Sequence, residues 1–133
     1  MPLDPEEREL MADPRLGEAI ALFNGADWYG CHDGFEALWH ETAGAMRPVL
    51  QGILQIAVAE LHLERGNTRG ATILMGEGLG RLNPGPDHAL GLDLATLRAS
   101  ASERLQALQN QTPLEALAPP RLHAAQQQQR SVN

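Results

Sequence analysis

The stretch from Val49 to Leu63 is apolar on more than one side of a helix. Val49, Leu50, Ile53, Leu54, Ile56, Ala57, Leu61 and Leu63 leave little of its circumference for water. Such a helix belongs in the middle of others, because a surface position would strand large aliphatic side chains in solvent, at roughly 25 cal/mol per Å² of apolar surface. The rest of the chain suits the surrounding role. Ala and Leu dominate and β-branched residues are few, which favours helix over sheet. The 133 residues suffice for one hydrophobic core without disulfide or metal staples.

Turn and cap residues divide the chain around this segment. Residues Pro5 to Met11 are compatible with a short helical turn. Asp13-Pro14 then opens a helix that runs to Phe23 and closes at Asn24-Gly25. Asp27 caps a second helix, from Trp28 to about His40, and Thr42 to Gly44 break it. The third runs from near Pro48 to Arg65, where Gly66-Asn67 stops it. A fourth spans Thr68 to Leu82 and ends in Asn83-Pro84-Gly85-Pro86, the strongest turn signal present. Asp93 caps the last, through Leu108.

Beyond Asn110, Pro113, Pro119, Pro120 and the tract Gln126 to Gln129 lack an apolar period and read as a flexible tail. The expected fold is therefore all-α: a single compact antiparallel bundle of about five helices with a buried central third helix. It has an N-terminal segment over 1–13, the bundle over 14–109 and the tail over 110–133. Gly76-Glu77-Gly78-Leu79-Gly80 does not have the spacing of a dinucleotide-binding loop and lacks a second strand. It reads as helix with small residues against a close neighbour. Each Gly costs up to about 1 kcal/mol relative to Ala, so this helix is expected to be the least stable.

Charge removes several function classes. The formal net charge is −7, with ten basic residues, all Arg. An acidic chain without a basic cluster is a poor partner for nucleic acid or an anionic membrane. The absence of Lys excludes Schiff-base chemistry and a P-loop lysine. A single cysteine, Cys31, excludes an internal disulfide and a multi-cysteine zinc site. The acidic Met1–Glu9 stretch is unlike a signal peptide, and no apolar run reaches the roughly 20 residues of a membrane span. The cytoplasm is the expected compartment, and homo-oligomerisation stays open.

Side chains with both bulk and chemistry concentrate in one place. Phe23, Trp28, Tyr29, Phe35 and Trp39 are all the aromatics of the chain, and Cys31, His32 and His40 lie among them. On the 28–40 helix His32 and Glu36 are one turn apart, flanked on the same side by Tyr29 and Trp39. On the third helix Gln51, Gln55, Val58 and His62 form a narrow stripe, while Glu60 and Glu64 lie roughly opposite and reach water. Polar side chains on the most buried helix need partners, since each left unpaired costs about 1–3 kcal/mol.

Packing the two helices together is expected to set His32 and Glu36 opposite Gln51, Gln55 and His62. The resulting pocket would be bounded also by Tyr29 and Trp39. It would hold an unidentified small molecule, with acid–base chemistry by His32 and Glu36. The alternative is a buried network that only holds the fold of a self-associating or adaptor module. A divalent-metal hydrolase is the third reading, with His32, Glu36 and His62 as ligands. It is disfavoured, because neither the two-His zincin helix nor the Glu-x-x-His pair of di-iron bundles is present, and no cofactor is expected. Cys31 and His32 point about 100° apart, so Cys31 reads as a small buried hydrophobe. His40-Glu41, His88 and His123 read as solvated.

These two helices resemble domain-of-unknown-function family 309, small prokaryotic helical proteins. Its pattern of Phe-Asn, an aromatic and His-Glu-x-x-Glu-x-x-Trp corresponds to Phe23-Asn24, Trp28-Tyr29 and His32-Asp33-Gly34-Phe35-Glu36-Ala37-Leu38-Trp39. Its Leu-Gln-Gly-x-x-Gln, aromatic or His, Gly-Asn and Gly-Ala correspond to Leu50 to Gln55, His62, Gly66-Asn67 and Gly70-Ala71. The likeness runs from about residue 14 to residue 108. Gly30 and Asp33 stand where the family usually has Glu; at Gly30 that Glu would complete a capping box with Asp27. The resemblance implies an all-helical fold and brings no activity with it.

Overall fold

The computed structural model describes residues 3–126. The chain is mostly helical, with α1 (Pro5–Ala12), α2 (Pro14–Asn24), α3 (Trp28–Glu41), α4 (Met46–Glu64), α5 (Thr68–Leu82) and α6 (Leu94–Asn110). Side chains start these helices where the sequence placed them. Asp13 Oδ1 accepts from the Arg15 N–H at 2.9 Å, Asp27 Oδ1 from Gly30 at 2.9 Å, and Asp93 Oδ1 from Thr96 at 3.0 Å. Each bond satisfies an N–H that the first turn leaves without a helical acceptor. α4 starts at Met46, ahead of Pro48, because a first-turn position does not need the N–H that proline lacks.

α4 packs against α3 and against α5. Its Leu50, Ile53, Ile56, Ala57 and Ala59 are fully buried. Burying each Leu or Ile contributes roughly 1.5–3 kcal/mol. Phe23 lies edge-on to Trp28 at 5.0 Å between ring centroids and to Phe35 at 6.5 Å, so α2 and α3 share an aromatic cluster. α4 and α5 approach most closely where two glycines meet. A Cβ on Gly52 would lie 2.7 Å from Leu82 Cγ, and one on Gly78 would lie 2.9 Å from the Gly52 carbonyl oxygen. Gly76 and Gly80 have nothing within 4 Å of such a carbon. Only the middle glycine of the Gly-rich run is needed for the contact.

The helices are joined by one element that periodicity does not reveal. Between α5 and α6 a two-residue antiparallel pair, β1 (His88–Ala89) and β2 (Leu92–Asp93), closes through Leu90-Gly91. Both turn residues have positive φ, 58° and 73°, the pattern of the tight hairpin turn that suits twisted strands. Leu90 adopts this backbone at a cost of about 1–2 kcal/mol. It is held there by burial of its side chain and by its N–H, which donates to Glu7 Oε2 at 2.8 Å. Glu7, itself buried, thereby ties α1 to the hairpin. Glu6 caps the α3–α4 connection: its carboxylate accepts from Ala43 N at 3.0 Å and Gly44 N at 2.8 Å.

The segment after α6, expected from the sequence to be a tail over 110–133, is described as far as residue 126. Gln111 turns with φ 58°, and the chain then runs back over the bundle. Pro120 and Leu122 are buried. The Asn24 side chain accepts from Leu122 N at 2.7 Å and donates to Leu122 O at 2.9 Å. Ala125 N donates to Gly91 O, and Asp93 N to His123 O, both at 2.9 Å. Isolated anchors and backbone bonds hold this strap, so it carries no apolar period to read. Of the glutamine tract, Gln126 is exposed and the rest lies outside the described residues. No described helix is long and apolar enough to cross a membrane.

The glycine contact makes a sharp prediction. Gly78→Ala should lower unfolding free energy by about 1–3 kcal/mol through overpacking. Gly76→Ala and Gly80→Ala should raise it by up to about 1 kcal/mol each, by helix propensity. Urea denaturation of the three variants provides the comparison; equal effects would mean that the helices do not meet at Gly78.

Candidate functional site

α3 is amphipathic. Cys31, Phe35 and Leu38 are buried, and His32, Asp33 and Glu36 lie on the wetter side. His32 Nδ1 is 3.2 Å from Asp33 Oδ1, with the imidazole 29% exposed and the Asp33 side chain 71% exposed. One ligand atom from each of His32, Asp33 and Glu36 lies within 4.8 Å of the others. A carboxylate beside Nδ1 favours the Nδ1–H tautomer, which leaves Nε2 as the lone-pair nitrogen. The group therefore offers an imidazole and two carboxylates on one helical turn. Asp33 was visible in the sequence only as a replacement for the family's Glu; its adjacency to His32 was the available signal.

The facing stripe is arranged differently from expectation. Gln55 Nε2 donates to Glu77 Oε1 on α5 at 3.2 Å, and Gln55 Oε1 is buried without a partner. His62 Nδ1 is 3.2 Å from the Asn67 side-chain amide nitrogen, at the turn that leads into α5. Gln51 is half-buried. Among the described residues no hydrogen bond joins His32 or Glu36 to Gln51, Gln55 or His62. His62 is not part of the ligand-atom group, whose third member is Asp33. The stripe turns toward α5 because α4 makes its closest approach there, at Gly52 and Gly78.

The flanking aromatics separate. Tyr29 is 63% exposed. Trp39 is a platform for Arg47, whose guanidinium carbon is 4.2 Å from the ring centroid. Arg47 Nη1 also donates to the carbonyls of Trp39 and Thr42, at 2.8 and 3.0 Å, so it closes the C-terminus of α3. The indole Nε1 of Trp39 is buried without a partner. Cys31 is fully buried, and burial, aided by the Asp27 charge, pushes its thiol up to about 12. It is an inert core side chain, as its spacing from His32 implied.

One charged pair was not legible at all. Glu60, expected on the water side, is 4% exposed, and Arg104 of α6 is 6% exposed. They form a two-pronged ion pair: Arg104 Nε to Glu60 Oε2 at 2.6 Å and Nη2 to Oε1 at 2.7 Å. Arg104 Nη1 donates onward to the strap carbonyls of Ala118 at 3.2 Å and Leu117 at 3.4 Å. Burial pushes the Glu60 carboxyl above its ordinary range, against the hydrogen bonds and charge of Arg104, which pull it down. A cleft of about 360 Å³ opens beside this pair, between α4, α6 and the strap. Two others, of about 110 and 300 Å³, lie beside Arg15 and along α6. None of the three is lined by His32, Glu36, Gln51, Gln55 or His62.

Fold and site together define a small helical protein with a polar patch on its aromatic-rich helix. Residues 16–74 match the model of the family described as domain of unknown function (DUF309). Among curated proteins none matches the chain. The matched segment holds α3 and α4 entire, with His32, Asp33, Glu36 and Glu60, and ends within α5. The motif-based span to residue 108 is wider, and Arg104 and the strap lie beyond the matched segment.

Removing one member of the buried pair should be costly. Glu60→Leu or Arg104→Met alone is expected to lose about 3–5 kcal/mol by leaving its partner buried and unpaired, and the double variant to recover most of that. Urea unfolding of the three variants decides it; strictly additive losses would show that the two residues are not coupled.

Proposed function

We propose that this chain is a helical ligand-binding domain whose working surface is the His32–Asp33–Glu36 group of α3. Asp33 orients the imidazole, and His32 exchanges a proton with a small polar ligand that Glu36 holds one turn further on. The supporting observation is that these three side chains come within 4.8 Å of one another on a partly exposed helical face. Tyr29 and Trp39 flank the ligand on this reading. Gln55 and His62 of α4 are held instead by Glu77 and Asn67 and take no part in this surface. The scaffold is an antiparallel arrangement of helices centred on α4, which fixes α3 through Phe35 and Leu38.

A divalent cation is the second reading, favoured by the same gathering of donor atoms. One ring nitrogen of His32 and two carboxylates make an open three-ligand set, the kind that leaves positions for water or substrate. His62 has no place in it.

The variants His32→Ala and Glu36→Gln discriminate. At half-exposed positions both should change stability by no more than about 0.5 kcal/mol. Calorimetric titration with zinc or manganese, alongside a thermal-shift screen of small organic acids, amines and sugars, gives the binding readout. Saturable binding lost in both variants supports the site, and a stoichiometric metal isotherm selects the second reading. Variants that lose several kcal/mol of stability, with no binding to wild type, would show that the residues only hold the fold.

A further inference from the structure

We propose that the cleft between α4, α6 and the strap is a second binding site, for an organic cation with an apolar body of the alkylammonium class. Its apolar lining is Trp28, Leu63 and Pro119, with Leu114 and Leu117 of the strap. The volume of about 360 Å³ falls within the range of small-molecule sites. The charge balance selects the sign of the ligand. Glu60, Glu64 and Glu115 line the cleft against a single cation, Arg104.

That cation is already committed. Nε and Nη2 of Arg104 are bonded to Glu60, and Nη1 to the carbonyls of Leu117 and Ala118. A carboxylate or phosphate entering the cleft would meet no free guanidinium and two more acidic groups. Among the described residues neither Glu64 nor Glu115 has an ion-pair partner. Glu64 adds its negative potential at Glu60, less strongly than burial and against the larger pull of Arg104. An ammonium group at the mouth, between Glu64 and Glu115, would relieve that potential. Its alkyl chain would cover Leu63 and Leu117, and their burial supplies the affinity. The site is assembled from α4, within the family-matched segment, and from the strap beyond it. Trp28 at the start of α3 borders it, but His32, Asp33 and Glu36 do not.

The test uses the full chain, with amide chemical shifts followed during titration with hexylammonium chloride, sodium hexanoate and hexanol. Hexylammonium should give saturable shifts centred on Leu63, Arg104 and Leu117, and hexanoate none. The exposed double variant Glu64→Gln/Glu115→Gln should keep the wild-type melting temperature and bind hexylammonium about tenfold or more weakly, as expected when charged contacts are lost. Equal shifts from hexylammonium, hexanoate and hexanol would reduce the cleft to an apolar crevice and overturn the proposal. So would the absence of saturable hexylammonium shifts, or undiminished binding in the double variant.

Discussion

The buried ion pair between Glu60 and Arg104 is the contact on which the C-terminal half of the molecule depends. It joins the central helix to α6, and through Arg104 Nη1 it also holds the strap. Two charges at this depth are tolerable only because both prongs of the guanidinium meet both carboxylate oxygens and the remaining nitrogen meets backbone carbonyls. The strap in turn supplies the carbonyls that the third guanidinium nitrogen needs. Each part makes the other affordable: without the strap that nitrogen would lose its acceptors, and without the pair the strap would lose its anchor in the middle of the fold.

On the opposite side of α4 the governing constraint is steric. Gly52 and Gly78 let two helix backbones meet, and that contact sets the rotation of α4 about its own axis. The rotation turns Gln55 toward Glu77 of α5 rather than toward His32. The polar group on α3 is consequently left on a rigid, well-anchored helix with its donor atoms facing outward. Phe35 and Leu38 fix the helix from within, Arg47 closes its end, and Asp27 caps its start. A binding group needs that kind of support to hold its geometry while remaining accessible.

Much of this was legible because it depends on local chemistry. Asp13-Pro14, Asp27, Asn67 and Asp93 announce helix starts through side chains that bond their own first turns, and the all-round apolar character of 49–63 demands a central position. Pairings between distant residues were not legible. Nothing local to Glu60 says that Arg104, far along the chain, will fold over it, so a helical-wheel reading sends it to water. The rotation of α4 escaped for the same reason, since it rests on a glycine of α5. The hairpin has too few residues to show a period, and its Leu90 adopts a left-handed backbone that its residue type argues against. The strap is held by single anchors such as Leu122, which composition hides behind proline and glutamine. His32 and Glu36 were visible as a pair one turn apart, and Asp33 completed them only once the side-chain geometry was known.

The central claim is that the buried pair closes the fold by holding the strap, and native-state hydrogen exchange at the Leu122 amide tests it most directly. That amide donates to Asn24 Oδ1. It should be protected by about 100-fold or more in the wild type, as a bond opened only by releasing the strap. In Glu60→Leu the protection should vanish while amides in the middle of α4 stay protected. Exchange of Leu122 at the unfolded-chain rate in the wild type, or unchanged protection in Glu60→Leu, would contradict the account.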